Sequence, residues 1–324
     1  MTTRPSEFAL IAQVFAPLAT SPGAFGLRDD AAVLAPRDGH DLVVTTDALV
    51  EGVHFLASDP PASIAKKALR VNLSDLAAKG AEPAGYLLAL SLPPRIELAW
   101  IEAFAHGLGE DQAQFGLSLL GGDTTSTPGP LTLAITAMGH VPAGQMIRRS
   151  GARAGEGVFV SGTIGDAGGG LAILSGDGNQ LRGCEGANLI ARYRVPTPRL
   201  ALGRALRGIA SAALDVSDGL IGDLAHVAEV SGVRIVVEAG CIPRSDALRA
   251  LWGDTDEAIA RAASAGDDYE IAFTANSDSA VRSAADQAGI AVTRIGRVEQ
   301  GAGVVLLASN GEEIAVPRAG FRHF

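Results

Sequence analysis

Aspartate is the residue in this sequence that can do chemistry, and it recurs in one setting. Asp29 and Asp30 are adjacent in GLRDDAAVL, Asp47 lies in VTTDALVEG, and Asp75 lies in ALRVNLSDLAAKGA. Asp123 lies in LLGGDTTS, Asp215 and Asp218 in LDVSDGL, and Asp267 and Asp268 in AGDDYEIAFT. Each cluster is read at an element end with Gly, Ser or Thr beside it; Asp47 closes a strand and Asp123 ends one. Carboxylates beside hydroxyls, with no His/Cys pattern, suit a hard, oxygen-seeking cation rather than zinc. Mg²⁺ is usually held by one or two carboxylates plus substrate phosphates. An acidic chain that binds a polyphosphate needs such a bridge, because Asp and phosphate repel one another.

Simpler readings stand beside this one. Ser217 or Asp218 can N-cap the helix that follows. Asp29-Asp30 and Asp267-Asp268 can be turn residues. Asp75 is harder to dismiss, because Ala68, Val71, Asn72 and Asp75 fall on one face at helical spacing. A carboxylate there is partly buried and needs compensation. Either Lys79, one turn later, or a metal ion can supply it. His54, in GVHF, reads either as a satisfied core histidine or as a ligand contact.

The nucleotide-binding motifs in common use are missing. The sequence contains no Gly-Lys dipeptide and so no Walker A loop, no strict GxGxxG, no HRD/DFG/VAIK set and no GxSxG. A chain of this kind that handles ATP does so through aspartate and magnesium.

The elements that must position these residues alternate. Strands are expected at 42–46, 85–92, 117–120 and 131–138, with helices at 62–79 and 96–115 between them. The polar segment Pro142–Gly155, PAGQMIRRSGARAG, marks a boundary. Beyond it, strands are expected at 157–161, 213–216, 234–238, 269–274, 291–295 and 304–307. Helices are expected at 170–174, 218–230 and 277–287. The fold class is α/β (α+β) in two domains, 1–145 and 146–324. VTTDAL at Val44–Leu49 and VSDGL at Val216–Leu220 echo one another weakly, each a hydroxyl–carboxylate pair at a strand end.

Composition closes off other classes. With 324 residues, 36 acidic against 26 basic, the chain has a formal charge of −10. That disfavours nucleic acid, which calls for clustered Lys and Arg, and a polybasic membrane contact. No apolar run reaches the ~18 residues of a membrane span. MTTRPSEFALIAQVF lacks a signal-peptide pattern, so a cytoplasmic protein is expected. Cys184 and Cys241 are too few for a disulfide framework and read as small buried hydrophobes. Forty glycines, with no repeat, suggest tight turns and close backbone approach to ligands.

In order, RDDAAVL, TTDALVEGVHF, VNLSDLAAKGAEP, GGDTT, RSGARAG, DVSDGLIGDLAH, GDDYE and the terminal GFRHF resemble the thiamine-monophosphate kinase family, from Asp29 to Phe324. That family belongs with the aminoimidazole ribonucleotide and selenophosphate synthetases. The resemblance implies an N-terminal mixed α/β domain that binds ATP and Mg²⁺ and forms a homodimer, and a C-terminal α/β domain that completes the active site. It implies phosphorylation of thiamine monophosphate by ATP with several Mg²⁺ ions, the final step of thiamine diphosphate biosynthesis. It places magnesium at Asp30, Thr45, Thr46, Asp47, Asp75, Asp123, Asp215 and Asp218, with Asp75, Asp123 and Asp218 as the catalytic carboxylates. It places ATP at Gly122, Asp123, Arg149 and Ser217, and substrate at His54, Asp267 and Phe321. Phe321 can stack on a cationic ring or simply anchor the tail. Three positions depart from the family pattern: Arg28 where Gly is common, Lys79 where Met is common, and Asp267 where Glu is usual.

Overall fold

The computed structural model describes residues 5–177 and 184–316; Phe321 lies outside the described residues. The chain forms two compact units, Met1–Leu76 with Ala81–Gly144, and Gln145–Phe324 with Ala77–Gly80.

In the first unit a short helix α1 (Glu7–Leu10) is followed by a π-helical turn (Ile11–Phe15) and two 3-10 segments (Ala16–Leu18 and Pro22–Leu27). Then come β1 (His40–Val50), α2 (Pro61–Ala78), β2 (Glu82–Leu92), α3 (Leu98–Phe115), β3 (Ser118–Ser126) and β4 (Thr132–Pro142). The strands make one sheet in the order β1-β4-β2-β3. β2 and β3 are parallel, which demands a crossover, and α3 supplies it. That helix stops at Gly116, whose φ of 72° makes the left-handed turn that side chains resist. In β4, Leu133, Ile135, Ala137, Gly139 and Val141 are buried and the residues between them are half-buried, the period-2 pattern of a one-sided sheet. Helix α2 is different: from Lys67 to Leu76 every residue except Asp75 is buried. Asp75 is the one opening in that stretch of the helix.

The second unit contains β5 (Gly157–Ser161), α4 (Asp166–Leu174), α5 (Cys184–Arg194), α6 (Leu200–Ala205), β6 (Ala210–Asp215), α7 (Leu220–Ser231) and β7 (Arg234–Glu238). It continues with α8 (Asp246–Trp252), α9 (Asp256–Ser264), β8 (Ile271–Ala275), α10 (Asp278–Ala288), β9 (Val292–Glu299) and β10 (Gly303–Leu307). The sheet order is β10-β7-β9-β5-β8-β6, and β10–β7 is its one parallel pair. Both faces are covered. Val158, Val160, Leu214 and Ile235 pack with Leu224 of α7 and Ile259 of α9. Phe159 and Phe273, stacked at 5.4 Å, pack with Leu202 of α6 and Val281 of α10. Coverage on both sides explains why GVFVS in β5 is apolar without alternation.

Several expectations need correction. Asp47 and Asp123 lie inside β1 and β3, because ladder pairing continues past the point where the apolar pattern stops. Thus only the second copy of the weak echo follows a strand end. Helices α5, α6, α8 and α9 lie outside the expected elements; they run for only 11, 6, 7 and 9 residues. Cys184 and Cys241 are exposed rather than buried.

Candidate functional site

In the first unit, β1 sorts its polar residues by pleat. Thr45 and Asp47 share the face of buried Val43 and Leu49. On that face the Thr45 hydroxyl donates to Asp75 Oδ2 at 2.5 Å. Burial, and then the Asp75 charge, push the Asp47 carboxyl up to about 6. Two carboxylates and a hydroxyl thus converge from β1 and α2, across a separation of 30 residues. Thr46 points to the opposite face, where its hydroxyl meets the Ile135 carbonyl and the Thr136 hydroxyl, each at 3.1 Å.

Asp30, Gly122 and Asp123 meet elsewhere in the same unit. They line a cavity of about 650 Å³ together with Asp29, Gly121 and Thr124. Its other wall is apolar, formed by Phe8, Ile11, Phe15, Leu27 and Leu87. Gly122 is required by the backbone alone: a Cβ there would lie 1.8 Å from the Leu88 carbonyl oxygen. Asp30 donates its N–H to Asp29 Oδ1 at 2.8 Å, and the pair sits in a bend of the chain. The apolar lining from the N-terminal helical segment had no signal in the sequence beyond ordinary amphipathicity. His54 caps the loop after β1, where its Nδ1 accepts from the Val50 N–H at 3.0 Å. That bond places the neutral ring's proton on Nε2, making Nε2 a donor.

In the second unit, Asp215 ends β6, and Ser217 and Asp218 form the turn into α7. Neither caps that helix: its N-cap is Gly219 and carries no side-chain cap bond. The acceptor is Asp223, whose Oδ2 takes the N–H groups of Ser217 and Asp218, each at 3.0 Å. Burial and the nearby Asp218 raise the Asp223 carboxyl to about 7. Sequence reasoning overlooked Asp223, although an acidic residue in the first turn of a helix was a usable signal. Asp267 is anchored to the same turn, its N–H donating to the Ser217 carbonyl at 2.8 Å. Arg149 is exposed on a stitched segment: Ala213 donates to the Arg148 carbonyl at 2.9 Å, and Gly151 donates to Ser231 Oγ at 3.1 Å. Lys79 Nζ donates to the Ala213 carbonyl at 2.8 Å.

Among the described residues, no three His, Cys, Asp or Glu side chains form a closed cage for a metal. The Asp47/Asp75 pair with Thr45 nevertheless fits a Mg²⁺ ion. A dication compensates the burial that chiefly raises Asp47 and the Asp75 charge that adds to it, and Mg²⁺ fills its remaining positions with water and phosphate oxygens. A structural zinc site, which needs four protein ligands, does not fit.

The chain matches the family models described as AIR synthase related protein, N-terminal domain over residues 28–141 and C-terminal domain over residues 153–308. It is 46% identical to the thiamine-monophosphate kinase of Caulobacter vibrioides, over 98% of this chain and 91% of that protein. Among solved structures it is similar to the thiamine-monophosphate kinase of Stenotrophomonas maltophilia, with a TM-score of 0.84 and 45% identity over 95% of this chain and 98% of that one. It is also similar to AaThiL complexed with AMPPCP and TMP, with a TM-score of 0.78 and 30% identity over 98% of this chain and 94% of that one.

Proposed function

The chain belongs to the thiamine-monophosphate kinase family, and we propose from that premise that it carries out the ATP-dependent phosphorylation of thiamine monophosphate to thiamine diphosphate. The observation that carries this reading is its similarity over nearly the whole chain to a protein crystallised with an ATP analogue and TMP. Its place is the last step that makes thiamine diphosphate.

The reaction needs no general base. The second pKa of a phosphate monoester is about 6, so the attacking oxygen is largely ionised at pH 7. That oxygen bonds to the γ-phosphorus of ATP, the bond from the γ-phosphorus to the β,γ-bridging oxygen breaks, and ADP leaves. The obstacle is bringing two polyanions together on an acidic protein, so catalysis rests on positioning and charge neutralisation. Bound Mg²⁺ supplies the positive charge that this neutralisation requires.

In the first unit, Asp75, Asp47 and Thr45 hold a cation, and Asp30 and Asp123 supply further carboxylates. Thr46 has its hydroxyl engaged with β4 and contributes less directly. The cavity beside Gly122 and Asp123 is large enough for a nucleoside, with an apolar wall for the base and an acidic end for cation-bound phosphates. His54 Nε2–H donates to a substrate phosphate. In the second unit, Asp215 and Asp218 are further cation ligands, Ser217 and Arg149 contact ATP, and Asp267 contacts the thiamine moiety.

A homodimer is part of this reading. The open face of the first sheet carries Leu42, Val44 and Leu87, all large, apolar and exposed, beside Met138. Such a patch marks an association surface. A cytoplasmic location fits as well; no described helix is long and apolar enough to cross a membrane.

The test is a phosphoryl-transfer assay with ATP, Mg²⁺ and thiamine monophosphate, with unphosphorylated thiamine as the comparison acceptor. Thiamine diphosphate should form from the monophosphate and only with Mg²⁺. A folded, ATP-binding preparation that yields none would overturn the reading.

A further inference from the structure

The segment Gly266–Glu270 between α9 and β8 is held in an unfavourable backbone conformation by an unusual number of contacts. Asp267 has φ 68° and Tyr269 has φ 51°. Asp tolerates this left-handed region; a bulky aromatic rarely occupies it. The residues between and after them point inward. Asp268 is buried and accepts from the N–H groups of Gly165 at 2.6 Å and Ala167 at 3.3 Å. Glu270 is buried and accepts from Arg192 at 2.8 Å, Arg199 at 2.7 and 2.5 Å, and Ser161 at 2.6 Å. The N–H groups of Asp267 and Tyr269 donate to the carbonyls of Ser217 and Val216, each at 2.8 Å. Strain maintained by this much support points to a function at the residues under strain.

Those two residues are half-buried rather than buried, and they meet: the Tyr269 phenol donates to Asp267 Oδ1 at 3.2 Å. We propose that Tyr269 is a positioning residue for the acceptor substrate. Its phenol fixes one oxygen of the Asp267 carboxylate and turns the other toward the amino group of a heteroaromatic ring in a substrate whose second ring is cationic. This rests on the reading above, in which Asp267 contacts the thiamine moiety. It also accounts for Asp where the family usually has Glu. The shorter side chain accepts the left-handed backbone and stays within reach of the phenol two residues on.

The test compares wild type, Tyr269→Phe, Asp267→Asn and the double variant. Tyr269→Phe keeps the ring and the backbone demand, so its melting temperature should stay close to that of wild type. Its KM for thiamine monophosphate should rise about three- to tenfold, the range expected for one lost hydrogen bond, while kcat and the KM for ATP stay within about twofold. The double variant should match Asp267→Asn alone, because Tyr269 acts through that carboxylate. An unchanged KM for thiamine monophosphate in Tyr269→Phe, with active wild type, would overturn the inference and leave the kinase reading intact. So would additive effects in the double variant. If wild type forms no product yet binds thiamine monophosphate by calorimetry, and Tyr269→Phe binds it more weakly, the kinase reading falls and the positioning role stands. Absence of both turnover and binding in wild type overturns both.

Discussion

Replacing Glu270 by Gln should destabilise the second unit severely while barely changing side-chain volume. The carboxylate is fully buried, and its partners Arg192 and Arg199 are themselves only 19% and 18% exposed. Three guanidinium N–H groups and the Ser161 hydroxyl converge on its two oxygens. An amide retains one acceptor oxygen and turns an NH₂ group toward donors, and it leaves two mostly buried cations without their anion. Removing one member of a buried ion pair costs about 3–5 kcal/mol. For a unit of this size each kcal/mol moves the melting temperature by about 2–4 °C, so the loss is about 6–20 °C. Differential scanning calorimetry on the whole chain would read it directly. A second variant isolates the cause. Changing Arg192→Met, Glu270→Leu and Arg199→Met together removes every charge and should recover more than half of the loss, because the penalty comes from uncompensated charge rather than from a missing triad. A Glu270→Gln melting point within ~2 °C of wild type, or a triple variant no better than the single one, would refute the reasoning.

Three other outcomes follow from the two acidic sites. Asp75→Asn should lower kcat by roughly 100-fold, the scale of a damaged metal site, with melting and sedimentation unchanged; loss of the folded state would sink the ligand assignment. Asp47, held at about 6, must shed its proton to bind a cation. The Mg²⁺ concentration for half-maximal activity should therefore rise about tenfold per unit as pH falls below ~6, and a flat profile from pH 6 to 5 would count against it. Asp223 is raised from 3.8 to about 7, so the native state holds its proton more tightly than the unfolded chain. The stability this gives is fully present below pH 3.8 and is lost as pH rises through about 7, roughly 4 kcal/mol in all. Asp223→Asn keeps an oxygen for both N–H groups and stays neutral. In metal-free buffer it should resist urea better than wild type at pH 8, with the gap closing toward pH 4; parallel pH curves would contradict this.

Much of the architecture was legible because it rests on short-range patterns. The apolar spacing of α2, the alternation in β4 and the unbroken apolar run of β5 each follow from the geometry of the element itself. Strand ends were less legible. Asp47 and Asp123 sit within their strands because partners across the sheet continue the ladder where hydropathy gives out. The short helices α5, α6, α8 and α9 owe their stability to packing, because short helices are marginal on their own.

For the candidate site the division is equally physical. The sequence by itself determined the chemistry on offer: carboxylates beside hydroxyls and glycines, a hard-cation donor set, and the order of motifs that marks the family. It also singled out Asp75 as a carboxylate in need of compensation. Tertiary structure alone decided which side chains share a face or a partner. Thr45 joins Asp75 while Thr46 turns away, since adjacent strand residues point to opposite faces. Asp223, not Asp218, takes the N–H groups of the Ser217 turn. Glu270 gathers Ser161 and Arg199, which lie 109 and 71 residues away. Local preference acts over a few residues of chain, whereas a buried charge is satisfied by whatever the fold brings within ~3 Å.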